Sequence, residues 1–285
     1  MPRLIAHRFA VLLLLLLGAN QPLYAQGRLA IIIDDIGYNL ALGKRTADLN
    51  GNFTLAVLPF TPHGTELAER AHQRGKEIML HAPMSNRHQY PLGRGGLTSG
   101  MQRAEFLTVL RQNLANIPYI KGLNNHMGSL LTEQAEPMRW LMAELKTRHL
   151  YFVDSRTSAQ TQALLMAEQT NLPSRKRDVF LDDEQSPAAI KSQLLRAVKQ
   201  AQQQGSAIAI GHPYPATLAQ LEQLQPLLQQ HHVQLVRVSQ LMVNNGDQTE
   251  FVRGAALACP APPMGLWPQT WAPVDPFADV GISGW

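Results

Sequence analysis

The stretch LAIIIDDIG, Leu29 to Gly37, decides the architecture. Its apolar residues run unbroken to Ile33, the mark of a strand buried on both faces of a parallel sheet. Asp34 and Asp35 follow at once, where such a strand would end. The same texture recurs at Phe53 to Leu58 (FTLAVL), Glu77 to Leu80 (EIML), Tyr119 to Leu123 (YIKGL) and Leu150 to Val153 (LYFV). Val179 to Leu181, Ala207 to Ile210 (AIAI) and Val233 to Val238 (VQLVRV) complete the series. Between these runs, Thr65 to Arg74, Ala104 to Asn116, Glu133 to Arg148, Ala188 to Gln204 and Thr217 to Gln230 carry apolar residues at helical spacing. Pro118, Gly205 and Pro215 fall where helices start or stop. Strands alternating with helices imply an α/β fold. The number of units suits a parallel-stranded, distorted (β/α) barrel of seven or eight strands with helices outside. A doubly wound open sheet is the competing arrangement. No G-x-G-x-x-G turn follows the first strand, which speaks against its dinucleotide-binding form.

Polar residues sit at nearly every strand end. EIML runs into His81, YIKGL into Asn124-Asn125-His126, LYFV into Asp154, VFL into Asp182-Asp183, and AIAI-Gly211 into His212. In parallel α/β folds the carboxyl ends of the strands form one face, where active sites are built. An Asp there is often only a helix cap. Asp154 before SRTSAQ fits that reading, and so do Asp182 and Asp183 before the helix near Pro187. Three histidines and a vicinal Asp pair on one face are too many to be caps throughout. The chemistry that fits is a mononuclear metal site with one carboxylate, two imidazoles and an open position for water. A second carboxylate then serves as base and a further histidine as acid. Consecutive strand residues point to opposite faces, so one Asp of the pair is expected on the metal and the other on the substrate side.

The chain has 285 residues, enough for one large α/β domain or two modest ones. Hydrophobic residues make up 45% and charged residues only 16%, which argues against a disordered chain. The net charge of +4 rests on 25 Lys and Arg against 21 Asp and Glu, and Arg3 and Arg8 precede an apolar run, Phe9 to Leu17. That pattern reads as a secretory signal over residues 1–25, cut after Ala25, with export to the periplasm. An uncleaved anchor is the alternative; the run is shorter than the ~20 residues of a spanning helix. Without Arg3 and Arg8 the balance falls to 23 against 21, or +2. No dense basic patch with interleaved aromatics appears, so no nucleic-acid partner is expected. A lone cysteine, Cys259, excludes an internal disulfide framework and a thiolate metal cluster. Residues 26–245 read as one catalytic domain. Residues 246–285, with PAPPMG and Trp267, Trp271 and Trp285, read first as an ordinary extended or disordered tail; the alternatives are that its tryptophans bind an envelope protein partner or pack back on the barrel.

Six segments carry a family resemblance: IIIDDIG (31–37), LAVLPF (55–60), GKEIMLHAPM (75–84), GLNNHMGS (122–129), FVDSRTS (152–158) and AIAIGHPYP (207–215). Together they resemble the polysaccharide deacetylase superfamily with its NodB-like fold, and within it the divergent polysaccharide deacetylases of bacterial envelopes. The resemblance runs from about Arg28 to Leu241. It implies that Asp34 is the catalytic base, Asp35 and His81 are metal ligands and His212 is the general acid. It also places Asp154 in a supporting role, orienting His212 or binding substrate. The superfamily's second metal histidine is replaced here by Ser85, and His126 is the expected substitute. An Arg and a Pro-Tyr pair of the family are replaced by NNHMGS. Asn125, Ser129 and Arg156 are further candidates for substrate contact or support. The implied activity is removal of N-acetyl groups from an envelope glycan by water on one divalent ion, zinc by donor type. A catalytically degenerate glycan-binding or scaffold protein on the same fold is the rival reading, and an ester or another amide is the alternative bond.

Overall fold

The computed structural model describes residues 26–242. The signal read over 1–25 and the tail over 246–285, with its proposed partner, lie outside the described residues. Strands and helices alternate: β1 (Gly27–Ile36), α1 (Leu40–Ala47), β2 (Thr54–Val57), α2 (Gly64–Gln73), β3 (Glu77–Met84), α3 (Arg103–Asn116) and β4 (Ile120–Met127). Then come α4 (Ala135–Thr147), β5 (Tyr151–Asp154), α5 (Ala163–Gln169), β6 (Ser174–Lys176), β7 (Val179–Phe180) and α6 (Pro187–Gln204). The order closes with β8 (Ser206–Gly211), α7 (Pro215–Glu222), α8 (Leu224–Gln230), β9 (Val233–Val236) and α9 (Ser239–Met242). No described helix is long and apolar enough to cross a membrane.

Eight strands pair side by side in the order β6-β5-β4-β3-β2-β1-β8-β7, and β9 pairs with β1. The ladders are all parallel. The two ends of this path, β6 and β7, are consecutive in the chain and separated only by Arg177 and Asp178. So short a link forces the two edges toward each other, and the sheet curls into an incomplete barrel. β9 runs beside residues 27–30 of β1, and β2 takes over the same edge from Ile32 onward.

Strand alternation divides the apolar residues into two cores. Leu29, Ile31 and Ile33 of β1 pack under the helices, with Leu55, Val57, Ile78, Leu80 and the buried faces of α2 to α6. Ala30 and Ile32 point into the lumen, with Ala56, Met79, Tyr151, Val153, Ile208, Ile210, Val236 and Val238. The lumen is therefore a packed core. Each fully buried Ile or Leu in it contributes about 1.5–3 kcal/mol over an exposed one. A polar knot at its lower end ties four elements together, β3 to β2, β5 and α9. Glu77 Oε1 accepts hydrogen bonds from Thr54 Oγ1 (3.2 Å), Tyr151 Oη (2.8 Å) and the backbone N–H of Ser239 (3.0 Å).

Three features differ from the sequence reading. β6, with sequence SRK, has no apolar run, because a short edge strand is set by its one neighbour and not by burial. The helices α1 and α5 have only eight and seven residues, too short for a periodic signal to register. The helical stretch at 217–230 is two helices, broken at Gln223.

Gly122 of β4 stands opposite Tyr151 of β5, and a Cβ there would lie 2.2 Å from the Tyr151 ring. The ring needs that space to reach Glu77. Gly122→Ala is expected to destabilise the protein by about 1–3 kcal/mol, as overpacking does. Urea unfolding checks this, and an unchanged midpoint would show that the ring is not held against the strand.

Candidate metal centre and proton-transfer site

The site is the upper continuation of the lumen rows. Ala30 and Ile32 lead to Asp34, Met79 leads to His81, and Ile208 and Ile210 lead to His212. On β4 the same row carries Gly122, Asn124 and His126. Four strands thus deliver polar side chains to one end of the barrel, above an apolar floor.

Simple alternation would turn Asp35 away from Asp34, and that was the expectation. The structure corrects it. The register between β1 and β2 slips between Ile33 and Ile36, so three steps on β1 match two on β2. Asp35 sits in this bulge with φ 56°. An L-residue there costs about 1–2 kcal/mol, and Asp is among the side chains that tolerate it best. The gain is that both carboxylates face His81, whose Nε2 lies 3.1 Å from Asp35 Oδ1 and 3.7 Å from Asp34 Oδ2.

Asp35, His81 and His126 form the one compact group of potential metal ligands among the described residues. Asp35 Oδ1 lies 2.8 Å from His126 Nδ1 and 3.1 Å from His81 Nε2, and the two nitrogens are 3.1 Å apart. Donors bound to one tetrahedral ion at about 2.0–2.2 Å are about 3.3–3.6 Å apart, so an opening of about 0.2–0.8 Å, largest between Asp35 and His126, admits an ion. Two details favour a cation at this point. Asp35 Oδ1 is buried and accepts no hydrogen bond of good geometry. Asn124 fixes the tautomer of His81: its Nδ2 donates to Asp34 Oδ1 (2.8 Å), so its Oδ1 accepts from His81 Nδ1 (2.8 Å). The Nε2 lone pair of His81 then points at the triad, an arrangement typical of metal-bound histidine. Ser85, where the resemblance implies a histidine, accepts a hydrogen bond from the Ser99 N–H (3.1 Å) and serves the loop.

His212 approaches from the other side of β1, its Nε2 3.8 Å from Asp35 Oδ2. Its partner is Asp182, a correction to the role expected of Asp154. Asp182 Oδ1 lies 3.0 Å from His212 Nδ1, while Oδ2 accepts from the His212 N–H (2.6 Å) and from Thr217 Oγ1 (2.8 Å). Helix α6 is capped by Ser186, so Asp182 is not needed there. Asp154 is buried in the row that faces away from the lumen. It accepts from the Arg156 N–H (2.8 Å) and Thr161 Oγ1 (3.0 Å) and shapes the loop after β5.

Asn125, on that outward row of β4, bridges the Met127 carbonyl (2.7 Å) and the Ser155 N–H (2.9 Å), which makes it a support and not a site group. Ser129 Oγ accepts from the Arg87 N–H (3.1 Å). Arg156, at φ 55°, holds its loop through its backbone. Arg177 lies in the short link between the sheet edges and was not singled out in the sequence. Its guanidinium donates to the carbonyls of Ser155 (2.7 Å) and Arg156 (3.1 Å) and lies 4.7 Å above the Phe180 ring. Phe180 in turn meets His212 edge-on at 5.6 Å. Tyr214, also not singled out, flanks His212 at 5.5 Å.

The electrostatics separate the two aspartates. Burial raises Asp34 above the ordinary carboxylate value, against the pull of His81 and His212. Burial acts on Asp35 as well, but His126, His81 and His212 together outweigh it and hold Asp35 well below that value. Burial would lower His212, yet the Asp182 hydrogen bond and the nearby carboxylates push it up to about 9. Burial raises the Tyr214 phenol to about 12, with Asp35 and Asp182 adding to the shift. One carboxylate is thus a firm anion, its neighbour a stronger base than usual, and the histidine across from them a cation at neutral pH.

Residues 31–242 match the family described as divergent polysaccharide deacetylase. The chain is 38% identical over 267 residues to the uncharacterized protein YibQ of Escherichia coli (strain K12), an alignment covering 94% of this chain and 79% of that one. It is 33% identical over 261 residues to an uncharacterized protein of Haemophilus influenzae, covering 91% of this chain and 89% of that one. The crystal structure of an uncharacterized protein from Agrobacterium tumefaciens superposes with a TM-score of 0.72 at 23% identity, over 76% of this chain and 89% of that one, which is a likeness of fold. With nearly all of its described residues inside the family match and two relatives that align along most of its length, this chain belongs to the divergent polysaccharide deacetylase family.

Proposed function

We propose that the chain is a metal-dependent deacetylase that removes N-acetyl groups from a glycan of the bacterial envelope, working in the periplasm after export. The observation that carries this reading is the arrangement around Asp35. A three-donor cradle has a raised carboxylate, Asp34, beside it and a carboxylate-held imidazolium, His212, across from it. The donor set of one carboxylate and two imidazoles suits zinc. An ion held by Asp35 Oδ1, His81 Nε2 and His126 Nδ1 would lower the pKa of a water and polarise the amide carbonyl.

The chain's own residues supply the proton transfers. Asp34 accepts the proton of the attacking water, and Asn124 keeps its carboxylate turned inward. His212 donates a proton to the amine nitrogen as the C–N bond breaks, and acetate and the free amino sugar leave. Asp182 keeps the His212 proton balance by accepting from Nδ1, so that Nε2 faces the site. Ser85 is one of the two departures, with NNHMGS, that favour a degenerate site, and His126 from the neighbouring strand stands within reach of Asp35 and His81 as the second imidazole, which supports catalysis over decay.

Three outcomes are expected. Zinc titration and elemental analysis of the purified protein should find one ion per chain in the wild type and loss of it in His81→Ala and His126→Ala. Full occupancy in His126→Ala would remove that residue from the ligand set. Acetate release from N-acetylglucosamine oligomers should fall about 10²–10⁴-fold in kcat for Asp34→Asn and for His212→Ala, with metal retained. Wild-type turnover in Asp34→Asn would overturn the assignment of the base. Asp182→Asn should lower kcat while leaving KM and metal content as they were. A change confined to KM would mean that Asp182 shapes the substrate site instead.

A further inference from the structure

The lower rim of the barrel, opposite the metal centre, carries cations that have no task in deacetylation. The ladders are all parallel, so the strands start together at this rim. Arg74, Lys76, Lys121 and Arg237 gather there, near the turn Arg74-Gly75-Lys76 that joins α2 to β3. Lys76 is only 6% exposed, although Arg74 and Gly75 beside it lie at the surface. Its ammonium makes one long hydrogen bond, 3.4 Å to the Arg74 carbonyl, and among the described residues no carboxylate pairs with it. Arg237, just past β9, is exposed and donates to the Gly75 carbonyl (2.7 Å). Burial lowers both Lys76 and Lys121 from the ordinary lysine value, and Arg237 lowers each further, so it lies near both. Asp48 and Glu77 oppose the fall, but both are already engaged. Asp48 pairs with Arg70 (2.6 Å) and Arg74 (3.3 Å), and Glu77 accepts the three donors of the polar knot.

Helix C-termini attract cations, which accounts for Arg70 and Arg74 at the end of α2. It does not account for Lys76, Lys121 and Arg237, which flank or begin strands. A buried ammonium is ordinarily paired, so the positive charge held at Lys76 points to an anion from outside the chain. The same rim exposes an aromatic ring. Tyr119, directly before β4, is 46% exposed, sits at φ 63° and stacks on His72 of α2 with centroids 3.9 Å apart and planes at 5°. A backbone held in that region to keep a tyrosine in the open, beside lysines and arginines, suits a bilayer surface. There the ring rests among headgroups and the cations meet phosphates. Both ends of the described chain lie at this face as well. Gly27 begins β1, and α9 packs beneath the lumen. The apolar run Phe9 to Leu17, read as the export signal, therefore joins the barrel here. We propose that the rim formed by Lys76, Lys121, Arg237 and Tyr119 docks on an anionic phospholipid surface, so that the metal centre at the other end of the barrel faces away from the bilayer. Such docking holds whichever bond the metal centre hydrolyses.

Co-sedimentation of the exported protein with lipid vesicles tests this. Vesicles of phosphatidylcholine containing about one-third phosphatidylglycerol should bind the wild type, vesicles of phosphatidylcholine alone should not, and raised salt should release the protein. Lys121→Gln and Arg237→Gln should each weaken binding about 5-fold, and the two together about 25-fold, with the thermal midpoint of unfolding unchanged. Tyr119→Trp reads the same face in a chain that keeps all its cations. Vesicles with brominated acyl chains should quench its fluorescence more than that of the wild type. Equal binding with and without phosphatidylglycerol, binding unmoved by the double substitution, or equal quenching of Tyr119→Trp and wild type would each overturn the docking. Binding to poly-L-glutamate with none to the vesicles would overturn the bilayer as partner and assign the face to an acidic protein. Docking by a protein that releases no acetate would sustain the rim and overturn only the reaction.

Discussion

At Asp35 the first strand leaves the pleat, and the site is arranged around that departure. Without the extra residue in the bulge, Asp34 and Asp35 would point to opposite faces, one into the lumen and one under the helices. With Asp35 at φ 56°, both carboxylates meet His81, and Asp35 alone touches groups from three other strand ends. Backbone strain of this kind persists where the surroundings over-determine it. Here the surroundings are β2 on one edge, β8 on the other, and imidazoles packed on the carboxylate.

The lumen gives that arrangement its stiffness. Ile32, Met79, Tyr151, Val153, Ile208 and Ile210 fill the barrel below the site, so the polar residues above cannot sink or tilt without opening a cavity. Above this floor the hydrogen bonds run in two short chains. Asp34, Asn124 and His81 form one, and Thr217, Asp182 and His212 form the other. Each chain fixes the proton position of one imidazole, which matters because histidine Nδ1 and Nε2 do different work. Asp182 and Asp34 have the same residue type and comparable burial. They differ in that three donors surround the Asp182 carboxylate while Asp34 keeps one oxygen turned toward the centre.

Much of the fold was legible because parallel strands buried on both faces read as unbroken apolar runs. Leu29 to Ile33 and Ala207 to Ile210 are cases in which burial alone marks the element. β6 was not legible, since an edge strand of three polar residues owes its conformation to the Phe152-to-Asp154 ladder beside it. Asn124 and Asp182 were visible as polar strand-end residues, yet nothing local said what they would touch. Asn124 shares a row with His126, and Asp182 shares one with Phe180. Those parities carry meaning only once the lumen side of each strand is known.

The sequence by itself determined the alternation of strands and helices, the polar strand ends and the family resemblance, because burial pattern and motif are properties of short segments. The tertiary structure decided which carboxylate holds which imidazole. His81 and Asn124 are 43 residues apart, and His212 and Asp182 are 30 apart. Their meeting depends on how far the sheet curls and on the bulge at Asp35. Curl and register are set by the packing of the whole barrel, and no single segment contains them.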